Sequence, residues 1–159
     1  MKRLLSNILF VSLLFLSVSP SAIAESQIVD VPGFATLEYP KQVKLLTKEC
    51  QNVTIKYEIN EGLDLDGAAL LVQVGSIKRK EQVGYTAWFG NIPGSTATLP
   101  MPMIGGMKLK VCKKDWKLKD QQFIGIKPRS YDVYIAYGIY QIDGSVQKEV
   151  ITKKIKFTK

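Results

Sequence analysis

No histidine occurs among the 159 residues. That absence removes Ser-His-Asp and Cys-His hydrolytic centres, and with them histidine-ligated zinc and copper sites. Only two cysteines are present, Cys50 and Cys112, and they are far too distant in sequence to form a C-x-x-C redox or metal motif. Glycine-rich phosphate loops, dinucleotide fingerprints and G-x-S-x-G elbows are all missing. The chain also lacks any sustained helical stripe, and no apolar run reaches the roughly 20 residues that a spanning helix needs. Together these absences predict a protein that is not an enzyme, carries no cofactor and has no transmembrane segment after processing.

What is present begins with "MKRLLSNILFVSLLFLSVSPSAIA" at residues 1–24. Lys2 and Arg3 precede an apolar stretch from Ile8 to Val18, and Ala22-Ile23-Ala24 supplies a small-x-small cleavage site. This is the pattern of a secretory signal peptide, with Glu25 as the expected mature N-terminus. No cysteine follows the apolar run, which argues against a lipid anchor. The expected location is outside the cytoplasm, periplasmic or extracellular.

Removing 24 residues from 159 leaves 135, the size of one domain with a proper core. Charge is unevenly divided along it. Residues 25–106 hold 7 basic and 9 acidic side chains, whereas residues 107–159 hold 13 basic and 5 acidic. In an oxidising compartment the two cysteines are expected to form one disulfide, Cys50–Cys112.

Period-two alternation dominates the mature chain. Val53, Ile55, Tyr57 and Ile59 alternate with Thr54, Lys56 and Glu58; "AALLVQVGS" reads as a more fully buried strand. In "EQVGYTAWFG" the apolar phase holds Val83, Tyr85, Ala87 and Phe89, so Trp88 is expected to face outward. A short strand is expected near Thr96–Leu99. Met107, Leu109 and Val111 alternate with Lys108 and Lys110. Tyr131, Val133, Ile135, Tyr137 and Ile139 form one face of "SYDVYIAYGIY", "IDGS" is a hairpin turn, and Ile151, Ile155 and Phe157 carry the last strand. "FATLE" and "QVKLL" supply a first strand or strand pair, while residues 25–33 read as a short tether before a domain over 34–159.

The closing "RSYDVYIAYGIYQIDGSVQKEVITKKIKF" resembles the last hairpin of immunoglobulin-like and fibronectin III-like modules of secreted bacterial proteins. The resemblance implies an all-β, antiparallel sandwich of about seven to eight strands. In antibody-type domains both cysteines lie between the sheets. Here Cys50 is in phase with Asn52, Thr54 and Lys56, and Cys112 with Lys108 and Lys110, which are the polar faces. In the strand order implied by the resemblance, 107–112 lies antiparallel to 50–59 in one sheet. Opposed residues there come within disulfide reach, so a staple on the outer face of one sheet is expected.

Several groups can carry binding. Met101, Met103 and Ile104 lie in the "LPMPMIGGM" loop, which suits an apolar contact with a protein or cell-surface partner. Met101, Met103 and Met107 also offer thioethers for Cu(I), although methionine more often fills gaps in a core. Trp88, Trp116, Tyr134 and Tyr140 are outward aromatics able to stack on sugar rings, or to shelter beneath lysine stems. Lys113, Lys114, Lys117 and Lys119 surround Trp116 and suit an anionic envelope polymer or polysaccharide. Lysine on an exposed strand also serves simply to prevent edge-to-edge pairing. Nucleic acid is not expected as a partner of an exported, arginine-poor chain. Glu61, Asp64 and Asp66 offer oxygen ligands in "EGLDLDG", but they fall short of a full calcium loop, and an acidic turn is the plainer reading.

Overall fold

A computed structural model describes residues 25–91, 101–140 and 146–159. The expected signal peptide, the strand near Thr96–Leu99 and the "IDGS" turn lie outside the described residues. Eleven strands follow in chain order: β1 (Ser26–Val31), β2 (Ala35–Pro40), β3 (Gln42–Lys44), β4 (Cys50–Ile59), β5 (Ala68–Ser76), β6 (Glu81–Phe89), β7 (Ile104–Cys112), β8 (Trp116–Leu118), β9 (Gln121–Phe123), β10 (Ser130–Tyr140) and β11 (Val146–Thr158). No helix occurs among the described residues, and none is therefore long and apolar enough to cross a membrane.

The strands form a four-stranded sheet in the order β1-β2-β4-β7, a five-stranded sheet in the order β3-β11-β10-β5-β6, and the small β8-β9 hairpin. All pairings are antiparallel except β3 with β11, which is parallel. Both large sheets contribute to one core, in which Val29, Leu37, Ile55 and Leu109 meet Leu70, Val72, Ile135 and Phe157. The alternation read from β4, β7 and the first part of β10 matches this burial. Val53, Ile55, Tyr57, Ile59, Met107, Leu109, Val111, Tyr131, Val133, Ile135 and Tyr137 all point inward.

Three expectations are corrected. Among the described residues the strands number eleven, not seven or eight. Residues 25–33 hold β1, paired along its length with β2 from Ser26↔Pro40 to Val31↔Ala35, and are not a tether. The third correction concerns β6. Opposite β5 the register runs Val74↔Gly84 and then Gly75↔Gln82, leaving Val83 as one extra residue. A bulge of this kind inverts the side-chain phase along the strand. Val83 turns into the core, but Trp88 is also fully buried, while Tyr85, Ala87 and Phe89 lie half-buried on the outer side. Alternation continued through the bulge predicted the reverse.

Trp88 meets Phe34 edge-on at 6.2 Å and Tyr57 at a tilt at 6.5 Å, and its Nε1 donates to Pro102 O at 2.9 Å. A further departure occurs at the end of β10. Gly138 has φ of +132°, the β10–β11 register shifts between Tyr137 and Tyr140, and Ile139 emerges 44% exposed.

Candidate functional site

The outer faces of the two large sheets differ in chemistry. On the four-stranded sheet, β4 presents Asn52, Thr54, Lys56 and Glu58, flanked by Thr36 and Glu38 on β2 and Lys108 and Lys110 on β7. This is the ordinary solvated side of an antiparallel sheet. Lys56 pairs with Glu38 at 3.2 Å, and that ammonium, with help from the Ser26 side chain, holds the Glu38 carboxyl below its usual 4.5.

Across β6, β5 and β10 the outer face of the five-stranded sheet carries little charge. Register places Tyr85, Gln73 and Tyr134 in one row across β6, β5 and β10. Ala87, Leu71 and Ala136 form the next row, and Phe89, Ala69 and Gly138 the third. Tyr140 meets Phe89 edge-on at 5.5 Å, closing that end. Small residues thus form a shallow floor between two aromatic rows. These rows lie four residues apart on each strand, on the order of 13 Å at the rise of a β-strand. Ala69 and Leu71 are buried by their neighbours even on this outer side. Burial raises the Tyr85 hydroxyl above 10, with a smaller push from Tyr140. The Tyr134 hydroxyl is raised by burial and then by the neighbouring Asp132 carboxylate.

Tyr134 and Tyr140 therefore share one face, as outward aromatics were expected to do. Trp88 does not join them, being part of the core. Tyr85 and Phe89 were missed as site residues because the bulge hid their phase. The available signal was β5 itself: "AALLVQV" is apolar on both sides, and such a strand needs cover on its second face.

Trp116 lies elsewhere, on the β8-β9 hairpin, stacked on the buried Phe123 at 4.2 Å with the rings 12° apart. Lys110 Nζ sits 4.8 Å above the Trp116 ring. The ring is thus held between Phe123 and a lysine, the sheltered arrangement weighed above. Asp115 Oδ1 fixes the hairpin by accepting from the Gly125 amide at 2.7 Å. Lys113 Nζ donates to Thr47 O at 3.0 Å, and Lys114 pairs with Glu49 at 3.6 Å. Lys117 and Lys119 are exposed on the same hairpin.

Cys50 and Cys112 are bonded and directly opposed in the β4–β7 register, with Cα atoms 4.0 Å apart. Both lie in the polar phase of their strands, and neither belongs to the main core cluster. Cys112 is nonetheless buried, and its carbonyl accepts from the Ile126 amide at 2.7 Å.

The methionine loop turns toward the protein. Met101 and Met103 pack against the core and Met107 is 3% exposed within it. Of the loop's described residues Ile104 alone projects, 70% exposed. In "EGLDLDG", Asp64 Oδ1 accepts from the Asp66 amide at 3.0 Å, and Asp66 Oδ1 accepts from Asn91 Nδ2 at 2.7 Å. Glu61 is exposed. Among the described residues no three His, Cys, Asp or Glu side chains converge as metal ligands. Asp64 and Asp66 thus serve local hydrogen bonding, within the loop and to Asn91.

Compared with known proteins, the sequence matches no family model and no curated protein. The functional reading therefore rests on the geometry of this chain.

Proposed function

We propose that this chain is an exported, non-catalytic binding module with an immunoglobulin-like β-sandwich fold, and that it holds a carbohydrate chain on the outer face of its five-stranded sheet. The observation that carries this reading is the strip of Tyr85, Tyr134, Phe89 and Tyr140 around a floor of Ala87, Leu71, Ala136, Ala69 and Gly138. Rings with apolar faces and polar rims suit the alternating C–H and hydroxyl surfaces of sugars. The strand order, with β3 running parallel beside β11, supports the immunoglobulin-like assignment. The disulfide and the N-terminal residues 1–24 support export to a periplasmic or extracellular location.

This reading relocates the site from the loop around Met101 and Met103, whose packing against the core leaves Ile104 as the one large side chain projecting among the loop's described residues. A protein partner on the same sheet is the second reading, favoured by the exposure of Ile139 and Tyr140 at 44% and 36%. An anionic envelope polymer held by Lys113, Lys114, Lys117 and Lys119 is the third, favoured by their exposure on and beside one hairpin.

Retention on immobilised polysaccharides separates these readings. The expected result is retardation that survives high salt and disappears in Tyr85→Ala/Tyr140→Ala with the unfolding midpoint kept. Retention confined to anionic resins and abolished by salt would transfer the function to the lysines. A protein that no polysaccharide retards does not bind carbohydrate, and the protein-partner reading then takes its place.

A further inference from the structure

The outer face of the five-stranded sheet ends at the β5–β6 turn in a cavity of about 190 Å3 lined in part by Gln73, Ser76, Lys80, Glu81, Gln82 and Tyr134. The bulge that turns Val83 inward lies beside it. Gly75 permits the close approach there, since a Cβ on it would fall 2.2 Å from Glu81 O. Lys80 adopts a positive φ of 54° to close the turn.

Two polar groups of the lining, the Tyr134 hydroxyl and Gln82 Nε2, are buried with no acceptor for their hydrogens; the Ile77 amide approaches the Tyr134 oxygen only as a donor. Their neighbours are already engaged. Gln82 Oε1 accepts from Gln121 Nε2 at 3.1 Å, which leaves Nε2 as the free end of the amide. Glu81 is held by Arg129 at 2.5 Å, and Asp132 Oδ2 accepts from the Ile77 amide at 3.4 Å. Both groups carry hydrogens, so each is paired by an acceptor brought into the cavity. Leaving such a donor unsatisfied carries a desolvation cost that an acceptor brought by a ligand removes.

We propose that this cavity is a subsite for a single neutral sugar unit, whose hydroxyl or ring oxygens accept from Tyr134 Oη and Gln82 Nε2. The inference rests on the carbohydrate reading of the adjoining face. Neutral oxygen is preferred over a carboxylate because Glu81 lines the cavity and Asp132 acts on the Tyr134 hydroxyl, with Lys80 as the one cation of the lining. Gln73 and Ser76 supply further groups that both donate and accept. Tyr134 lines the cavity and lies one strand from Gln73 and two from Tyr85, so a sugar seated here continues directly into the aromatic strip. The volume is that of several waters, enough to admit a ring edge rather than a lone solvent molecule.

The test is an amide-resolved NMR titration of the full mature chain with glucose, galactose and N-acetylglucosamine. Saturating shifts are expected at Gln73, Ser76, Ile77 and Gln82 for at least one of them. Tyr134→Phe and Gln82→Leu should each weaken that binding about three- to tenfold, the weight of one hydrogen bond. Tyr134→Phe removes a donor without an acceptor and should not lower the unfolding midpoint, whereas Gln82→Leu also gives up the bond from Gln121, so its affinity is compared well below both midpoints. Absence of shifts with all three sugars overturns the subsite, as does binding that Tyr134→Phe leaves unchanged, which would mean the cavity holds water only. Polysaccharide retention lost in Tyr85→Ala/Tyr140→Ala but intact in Tyr134→Phe would sink the subsite while leaving the module's function standing. A chain that no polysaccharide retards fails at the earlier step.

Discussion

Trp88 shows how far one side chain can depart from the phase of its neighbours. Its indole is fully buried between Phe34 and Tyr57, and its N–H reaches the Pro102 carbonyl. Trp88→Ala should therefore cost about 3–5 kcal/mol, the range for emptying a large aromatic site. Trp88→Phe keeps most of the packing but strands the carbonyl, so a loss of about 1–3 kcal/mol is expected. Urea unfolding of the two variants checks both values, and near-wild-type stability of Trp88→Ala would return the ring to the surface. Glu38 gives a titration at the same scale. Its folded pKa lies below 4.5, chiefly through Lys56, so its contribution is present above the unfolded value and is lost as pH falls through the folded one. A carboxyl-resolved NMR titration should find the Glu38 midpoint below 4.5, and Lys56→Met should move it upward. The pair is exposed, so only the midpoint, and not the melting temperature, is expected to report it.

At the scale of elements, the disulfide joins the end of β7 to the start of β4 on the outer side of their sheet. Closing a separation of 62 residues restricts the unfolded chain by about 4 kcal/mol in the chain-entropy model. Cys50→Ala/Cys112→Ala should lose roughly that amount in denaturant unfolding at oxidising potential, and added reductant should bring the wild type to the same midpoint. A double variant as stable as the oxidised parent would show that the staple adds nothing to the four-stranded sheet. This arrangement was legible because two strands with clean alternation, β4 and β7, each put a cysteine in the lysine and threonine phase. Legibility failed where the period breaks. Val83 bulges out of register and reverses β6, and near the end of β10 the register against β11 shifts around Gly138, where Ile139 is exposed. β8 and β9 have three residues each, too few for any periodicity to emerge, and the alternation of β1 was lost among the polar residues of an apparent tether. Half of the outer aromatic strip was hidden for the first of these reasons.

At the scale of the molecule, one core is enclosed by two sheets whose outer faces obey different rules. Solvent accounts for Thr54, Lys56, Glu58 and Lys108 on the four-stranded side. Solvation does not account for Leu71, Ala87, Ala136 and Phe89 on the other, since nothing about a soluble sheet requires its outer centre to be apolar. Charge at that centre should therefore be tolerated by the fold but not by the function. Ala136 and Thr54 give a matched pair, each on an inner strand of its sheet and each facing out. Both Ala136→Lys and Thr54→Lys should fold with midpoints within about 1 kcal/mol of the parent, as surface substitutions usually do. On the proposed reading they part in affinity electrophoresis through polysaccharide. Thr54→Lys keeps the wild-type retardation, while the lysine at 136 stands between the Tyr85–Tyr134 and Phe89–Tyr140 ends of the strip and breaks the continuous contact that a sugar chain requires. Equal retardation of the two variants would show that the apolar face is not where the chain is held, and the exposed lysines of the β8-β9 hairpin would then be the surface to test.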